Sequence, residues 1–178
     1  GAIAASGRSA AFLDDTAPTN SRVLGFPVLG PLSLLPQLAG EFSFVCAASG
    51  DGAFRRALLE QALGLGLFAL PVIHPAAVVS PFAALGSGCF VLAGAYVGPL
   101  AGIGRGCIVN TASIVGITAA RAFFPTFAAG DFSTIGANSA VLPGIRVGDG
   151  ATVGAGSVVT RNIETGATVA GAPAKSLR

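Results

Sequence analysis

The most regular feature of this sequence is an aliphatic residue at every sixth position. One unbroken series comprises Val79, Leu85, Val91, Val97, Ile103, Val109 and Val115. A second series follows, offset by two residues from the first, and comprises Ile135, Val141, Val147, Val153 and Val159. Arg121 does not continue the earlier register, so an irregular segment lies between residues 116 and 134.

A period of six matches neither an α-helix nor a simple alternating strand, but is typical of coils with three short faces and about 18 residues each. A small residue stands two positions before almost every aliphatic one, as at Cys89, Cys107 and Ser139, and glycine often follows it. Stacked at a strand spacing of about 4.8 Å, such coils bury ladders of Val, Ile and Leu. The repeats therefore predict a mainly β protein with a left-handed parallel β-helix over residues 71–178.

The segment before the repeats has a different pattern. Residues 42–48 form an apolar strand, 49–52 a tight turn, 53–63 a helix and 67–73 a second apolar segment, which together indicate a βαβ unit. Residues 11–15 read as another strand that ends in two carboxylates. We therefore expect residues 1–70 to form a small α/β Rossmann-like domain, truncated at its N-terminus because Gly1 to Ile3 fall inside its first helix.

Ligands of such folds bind beyond the carboxyl ends of the strands. This would place Asp14, Asp15, Gly50 and Asp51 around one crevice that could hold a nucleotide. The alternative is structural: Asp14 and Asp15 form a solvated turn, and Gly50 is required for steric reasons.

The composition agrees with a repeat protein, since 52% of residues are apolar, 10% are charged and 26 are glycine. A net charge of +2, with scattered Lys and Arg, argues against a nucleic-acid partner. The longest apolar run, residues 62–73, is too short for a membrane span and contains glycine and proline. Cys46, Cys89 and Cys107 show no CxxC spacing, so we expect free buried thiols and no metal site.

The N-terminus has no basic segment followed by an apolar stretch, so a cytoplasmic location is expected. Because the first residue is Gly1 rather than methionine, the chain is interpreted as a fragment or a trimmed product.

Several segments carry the motifs of one family: FLDD (12–15), GFPVLG (25–30), ASGDG (48–52), VIHPAAVVSP (72–81), IGRGCIVNTASIV (103–115), IGANSAVLPGIRVGDGATVGAGSVVTRNI (135–163) and VAGAPAK (169–175). With these segments the chain resembles the NeuD and PglD type of sugar O- or N-acetyltransferases, within the hexapeptide-repeat acyltransferase superfamily. The resemblance implies a homotrimer that binds acetyl-CoA in clefts between subunits and a nucleotide sugar in the N-terminal domain.

By matched position, the resemblance implies that Gly136, Ala137 and Ala155 contact the cofactor. It also makes Lys175 a contact for a cofactor phosphate, with an exposed tail lysine as the alternative. Asp14 and Asp15 match a pair that contacts uridine in the family.

The catalytic base of the family is a histidine followed by an acidic residue, and imidazole suits this task because its pKa lies near working pH. The matching positions here are Ile117 and Thr118, and neither can accept the proton. A second family histidine, associated with the cofactor, has no counterpart in residues 119–129, and this stretch is shorter than in the family. His74, the only histidine, opens the β-helix more than two coils earlier and is interpreted as a structural cap.

Two functions remain open at this stage. The first is an acetyl-CoA-dependent acetyltransferase that acts on a nucleotide-linked amino sugar or a sialic-acid-type sugar. The second is a non-catalytic trimeric β-helix that keeps the scaffold or CoA binding. A γ-type carbonic anhydrase shares this repeat but needs several zinc-binding histidines, and this sequence has one.

Overall fold

The computed structural model describes residues 10–116 and 126–177. Within these ranges the chain is mainly β, and it consists of a small N-terminal unit (residues 10–70) followed by a long parallel β-helix. No helix in the described ranges is long and apolar enough to cross a lipid bilayer.

The N-terminal unit combines short strands and helices: β1 (Phe12–Leu13), β2 (Arg22–Val23), β3 (Phe26–Gly30), a 3-10 helix (Leu32–Leu34), α1 (Leu35–Leu38) and α2 (Gly52–Gly64). β3 lies between the other two strands, parallel to β1 and antiparallel to β2. A separate parallel bridge joins Phe44 to Phe68, one on each side of α2 in the sequence. The described residues do not join these two parallel pairs into one sheet.

The helix predicted over residues 53–63 is present as α2. It begins where Asp51 caps it, since Asp51 Oδ1 accepts a hydrogen bond from Phe54 N at 2.9 Å. Its buried face consists of Arg55, Leu59 and Ala62, which are spaced by four and three residues as one face of a helix requires.

The strands expected over 42–48 and 67–73 are much shorter than predicted. Only two backbone hydrogen bonds link them, from Val45 N to Phe68 O and from Phe68 N to Ser43 O, both 2.9 Å long. The later part of the second segment forms β4 (Val72–Ile73), which belongs to the β-helix because Val72 N and His74 N donate to the next coil. The apolar segment over residues 67–73 therefore contributes Phe68 to the N-terminal unit and Val72 and Ile73 to the β-helix.

The β-helix has three faces of short parallel strands, stacked coil on coil. Face A contains β4, β7 (Phe90–Val91), β10 (Ile108–Val109), β13 (Thr134–Ile135), β15 (Thr152–Val153) and β17 (Thr168–Ala170). Face B contains β5 (Val78–Val79), β8 (Tyr96–Val97), β11 (Ile114–Val115), β14 (Ala140–Val141) and β16 (Val158–Val159). Face C contains β6 (Ala84–Leu85), β9 (Ala101–Ile103) and β12 (Thr126–Ala129), continued by bridges at Val147 and Ile163. A last strand, β18 (Lys175–Ser176), pairs antiparallel with β17.

The aliphatic positions of the repeat form the core of the β-helix, as the sequence predicts. On face A, Val91, Val109, Ile135 and Val153 pair in register and are all at most 1% exposed. Burying one such side chain contributes about 1.5–3 kcal/mol, so the repeated ladders are the main source of stability. Cys89 and Cys107 lie in this core, one coil apart, as expected.

The break in periodicity does not interrupt the stacking. Val91 pairs with Val109, eighteen residues later, whereas Val109 pairs with Ile135, twenty-six residues later. Seven of the eight extra residues precede Thr126, and the eighth falls at the register shift between Phe127 and Ala129 in β12. The irregular segment predicted between residues 116 and 134 therefore lies between coils that stay in register. Ile117 and Thr118, which match the family's catalytic positions, lie outside the described residues.

Candidate functional site

The residues that the sequence assigns to the cofactor lie on one edge of the β-helix, the A–B corner, which we define as residues 136–138 and 154–156. Gly136 and Ala137 directly follow β13, and Ala155 follows β15 one coil further on. Gly156 N donates to Ala137 O at 2.8 Å, which holds the two turns together. Residues far apart in sequence number thus form one continuous edge.

Small residues are needed at this corner because the coils meet there at backbone contact. A Cβ atom on Gly136 would lie 2.5 Å from Val153 O and 2.6 Å from Ala155 N. Two buried serines fix the corner from inside: Ser113 Oγ donates to Gly136 O at 2.8 Å, and Ser139 Oγ donates to Gly154 O at 2.9 Å. The result is a narrow edge of backbone and methyl groups that is held rigidly.

Lys175 lies on β18, two strand pairings beyond β15 along this edge. It pairs with Ala170 across the antiparallel β17–β18 ladder, and Ala170 Cβ would lie 2.9 Å from a Cβ on Gly154. The Lys175 side chain is exposed at the end of the β-helix. The structure therefore brings all four sequence-assigned cofactor residues to one edge.

The two carboxylates at the end of β1 each bind local backbone groups. Asp14 Oδ1 accepts hydrogen bonds from Thr16 Oγ1 at 2.6 Å, Thr16 N at 2.7 Å and Ala17 N at 2.9 Å. These bonds, that of the Thr16 hydroxyl foremost, hold the pKa of Asp14 below its ordinary value. Asp15 Oδ1 accepts from Leu32 N at 2.8 Å and so ties the end of β1 to the 3-10 helix. Both side chains remain exposed.

The turn at residues 49–52 is shaped by its own polar atoms. Asp51 N donates to Ser49 Oγ at 3.2 Å while the Asp51 carboxylate caps α2. A Cβ on Gly50 would meet nothing within 4 Å, so the steric explanation offered for Gly50 is wrong. The steric requirement falls on Gly52, where a Cβ would lie 2.9 Å from Phe132 O on the β-helix.

Arg55 lies in the helix predicted over residues 53–63, and the sequence pattern assigns it no role. Its guanidinium is completely buried and donates to carbonyl groups of both the 49–52 turn and the β-helix. Burial lowers the pKa of Arg55 from its ordinary value. The sequence contains an indication of this burial, because the helical spacing places Arg55 on the same face of α2 as Leu59 and Ala62.

His74 is placed as a structural residue, as expected. It is exposed in the first coil, where its Nδ1 accepts a hydrogen bond from Ala76 N at 3.0 Å. β4, directly before it, is separated from β10 by two steps of strand pairing. The imidazole is therefore far from the coil that contains the family's catalytic position.

A second concave surface lies on a different edge, between faces C and A, and its carboxylates serve the fold. Asp131 accepts from Arg105 N at 2.8 Å and from Arg105 Nε at 2.9 Å, and Asp149 Oδ1 accepts from Asp131 N at 2.9 Å. These groups form a ladder that links successive coils. In residues 10–116 and 126–177, no group of three or more His, Cys, Asp or Glu side chains could hold a metal ion.

The interior cysteines are not available as nucleophiles. Burial raises the pKa of Cys89 to about 12 and that of Cys107 to about 11. Both are therefore thiols near neutral pH. Cys46 differs from the expectation of a buried thiol, since it is exposed on the N-terminal unit.

Comparison with protein families gives one match, to the hexapeptide repeat of succinyl-transferase, over residues 130–161. This match covers β13 to β16, including the A–B corner. A search of curated proteins gives no significant match.

Solved structures give closer relationships. A histidine-to-asparagine variant of perosamine N-acetyltransferase from Caulobacter crescentus, in complex with CoA and GDP-perosamine, is 32% identical. The match covers 89% of this chain and 81% of that chain, with a TM-score of 0.73. The acetyltransferase domain of PglB from Neisseria gonorrhoeae FA1090, in complex with acetyl coenzyme A, is 36% identical. This match covers 94% and 85% of the two chains, with a TM-score of 0.76.

WeeI from Acinetobacter baumannii AYE is 22% identical, with 94% of this chain and 85% of that chain covered and a TM-score of 0.65, and it has the same fold. These neighbours have the left-handed β-helix fold of acyltransferases, which is the handedness that the repeats predict.

Proposed function

Because the chain belongs to the family of hexapeptide-repeat sugar acetyltransferases, we propose that it transfers an acetyl group from acetyl-CoA to an amino group of a nucleotide-linked sugar. The amine attacks the thioester carbonyl, an N–C bond forms, the C–S bond breaks, and CoA leaves as its thiol. The observation that carries this proposal is the A–B corner, where Gly136, Ala137 and Ala155 lie on successive coils.

The A–B corner suits the thin, extended arm of CoA. Its side chains are absent or no larger than methyl at the three assigned positions, so backbone groups can approach a ligand closely. Lys175, at the exposed end of the same edge, would meet a phosphate of the cofactor by charge attraction. Acetyl-CoA dependence also leads us to place the reaction in the cytoplasm.

For the acceptor, we propose that residues 1–70 form a truncated Rossmann-like domain that binds the nucleotide sugar, next to an acyltransferase domain over 71–178. The parallel β1–β3 pair, the parallel Phe44–Phe68 bridge and α2 support this division. Asp14, Asp15, Gly50 and Asp51 are the proposed contacts. Their local hydrogen bonds pre-position the carboxylates, and Asp14 and Asp15 remain exposed.

We also propose that three copies assemble through face B. Its outward positions pair in register and form an apolar row of Val78, Tyr96, Ile114, Ala140 and Val158. Val78 is 60% exposed and Ile114 is 43% exposed in the single chain. A continuous apolar row of this kind is typical of an interface.

The alternative is a non-catalytic trimer that retains the scaffold or CoA binding. It is favoured by one observation, the presence of Ile117 and Thr118 where the family has its base and acidic partner. An amino sugar can still react in its neutral amine form without a base, although more slowly.

Calorimetric titration with acetyl-CoA, run beside a thiol-release assay with UDP- and GDP-linked 4-amino sugars, separates the two functions. The proposed enzyme binds acetyl-CoA and releases CoA only when an amino sugar is present. Binding without release would contradict the enzyme and favour the non-catalytic trimer. Absence of binding would contradict acetyl-CoA binding in either function and leave only a scaffold. Ala155→Trp, which fills the A–B corner, should abolish binding, whereas Ala48→Trp on the N-terminal unit should not.

A further inference from the structure

One buried cation has no role in the chemistry proposed above: the guanidinium of Arg55, in the first turn of α2. The residue is 0% exposed, yet it forms no ion pair with a carboxylate in residues 10–116 or 126–177. Backbone carbonyls surround it instead. Arginine stays charged when buried, so each of these carbonyls receives a charge-assisted hydrogen bond.

The donors of Arg55 point to two different parts of the molecule. Nη1 donates to Ser49 O at 2.7 Å and to Gly50 O at 3.3 Å, within the 49–52 turn. Nε donates to Gly106 O at 2.5 Å and Nη2 to Phe132 O at 3.0 Å, on the β-helix. The planar guanidinium fixes the direction of all these bonds at once, which the single nitrogen of lysine cannot do.

The carbonyl groups of the β-helix that Arg55 binds lie close to the A–B corner. Gly106 and Phe132 precede β10 and β13, and Gly136 follows β13. With a rise of about 3.3 Å per residue, the four steps from Phe132 to Gly136 span about 13 Å.

We propose that Arg55 is a positioning residue for the acetyl acceptor. It sets the distance between the turn that holds the nucleotide sugar and the corner that holds the thioester. Arg55 itself touches neither substrate, since its donors are used by protein carbonyls. The proposal rests on the proposed function, because it assigns the 49–52 turn to the nucleotide sugar and the A–B corner to acetyl-CoA.

Arg56 offers a matched control in the next position of the chain. Its guanidinium carbon lies 4.5 Å from the centre of the Phe132 ring, so it packs at the same junction. No side-chain hydrogen bond of Arg56 to the 49–52 turn is formed within the described residues, so its only link to that turn is the helix backbone. Replacing Arg56 therefore removes charge and packing at the junction without releasing the turn.

The test compares Arg55→Lys, Arg55→Met and Arg56→Met with the wild-type protein, using acetyl-CoA and UDP- and GDP-linked 4-amino sugars. For both Arg55 variants we expect the KM for the amino sugar to rise at least tenfold and kcat to fall, with Arg55→Lys less affected. The KM for acetyl-CoA and its calorimetric Kd should change less than twofold. Amide hydrogen exchange should accelerate over residues 49–54 and stay unchanged over 152–159, and Arg56→Met should leave all these values near wild type.

Several outcomes of this test would contradict the positioning role of Arg55. An unchanged amino-sugar KM in folded Arg55→Lys and Arg55→Met would overturn the positioning role. Equal losses for both substrates, or loss of the folded protein in both variants, would reduce Arg55 to a structural residue and overturn it as well. Wild-type protein that binds acetyl-CoA but acetylates neither amino sugar would overturn the proposed function and the substrate role of Arg55 with it. In that event, unchanged amide hydrogen exchange over residues 49–54 in the Arg55 variants would show that Arg55 does not hold the 49–52 turn against the β-helix.

Discussion

The β-helix and the N-terminal unit are stabilised in different ways. In the β-helix, each central strand has only two to four residues, but it pairs with a coil on both sides, and the inward side chains of the ladders are buried. In the N-terminal unit, strands of similar length are at sheet edges, and Phe12, Phe44 and Phe68 remain 37%, 45% and 65% exposed. Short strands are therefore stable where the repeat supplies neighbours, and need tertiary support where it does not.

That support comes from the β-helix itself. Leu59 of α2 packs against Gly88, Ala69 and Phe132, and the Arg55 guanidinium binds carbonyls of two coils. The N-terminal unit therefore depends on contacts with the β-helix for its position. Four sets of variants test this difference between the two regions.

The largest effect is expected from a charge in the interior ladder. Val153→Asp places a carboxylate where the side chain is 1% exposed, and should cost at least about 4 kcal/mol and unfold the β-helix. The neighbouring Thr152 points outward and is exposed, so Thr152→Asp should change the unfolding free energy by less than about 0.5 kcal/mol. Urea denaturation followed by circular dichroism measures both. Similar losses for the two variants would mean that the repeat positions do not carry the stability.

A smaller and more local loss of stability is expected from a substitution where α2 packs against the β-helix. Leu59→Ala removes a side chain that is 1% exposed and should cost about 2–5 kcal/mol, concentrated in the N-terminal unit. Hydrogen exchange should speed up across α2 while β13 to β16 keep their protection. Leu65→Ala, at a position 38% exposed, is the control and should have little effect. Uniform destabilisation of both regions would show that they unfold as one unit.

The next prediction concerns chemistry rather than packing. The double substitution Ile117→His with Thr118→Asp supplies a base at the family position and should raise kcat at pH 7 about 100-fold. Wild-type activity should rise with pH as the acceptor amine loses its proton, whereas the variant should reach its plateau at lower pH. Thiol release measured between pH 6 and 9 shows this difference. Unchanged rate and profile would place the rate-limiting step elsewhere.

The smallest effect is a change in titration on the N-terminal unit. Thr16→Val removes the hydroxyl that contributes most to the low pKa of Asp14, so that pKa should rise toward 3.8. The wild-type bonds stabilise the turn above pH 3.8 and are lost as the pH falls through the lowered pKa of the folded protein. Carboxyl NMR titration measures the shift. Thr165→Val, at an exposed turn of the β-helix, should leave the Asp14 titration unchanged.

Much of the β-helix could be predicted from the sequence because its signal is local and repeated. Each residue of the six-residue period has the same neighbours one coil away, so its burial follows from its position, as at Val91 and Val109. The alignment of the A–B corner follows from the same period, whereas the assignment of its residues to a cofactor rests on the family resemblance. Gly136, Ala137 and Ala155 occupy equivalent corners, and stacking the coils brings them together.

The N-terminal unit was less predictable because its decisive contacts are not periodic. The strands expected over 42–48 and 67–73 contain the right residue types, but edge position and competition from the β-helix leave one bridge and move Val72 and Ile73 into face A. The same reason explains Cys46, whose exposure no local pattern indicates.

The sequence by itself determined the period, the interior ladders, the small-residue edge and the missing histidine, because these are properties of residue type and spacing. Only the folded structure shows that β10 and β13, on either side of residues 117–125, pair in register, and that Asp14 and Asp15 bind nearby backbone groups. It also decided the role of Arg55, whose partner Phe132 lies 77 residues away in the chain. No spacing pattern in the sequence indicates a hydrogen bond between residues this far apart, because only folding brings the two residues together.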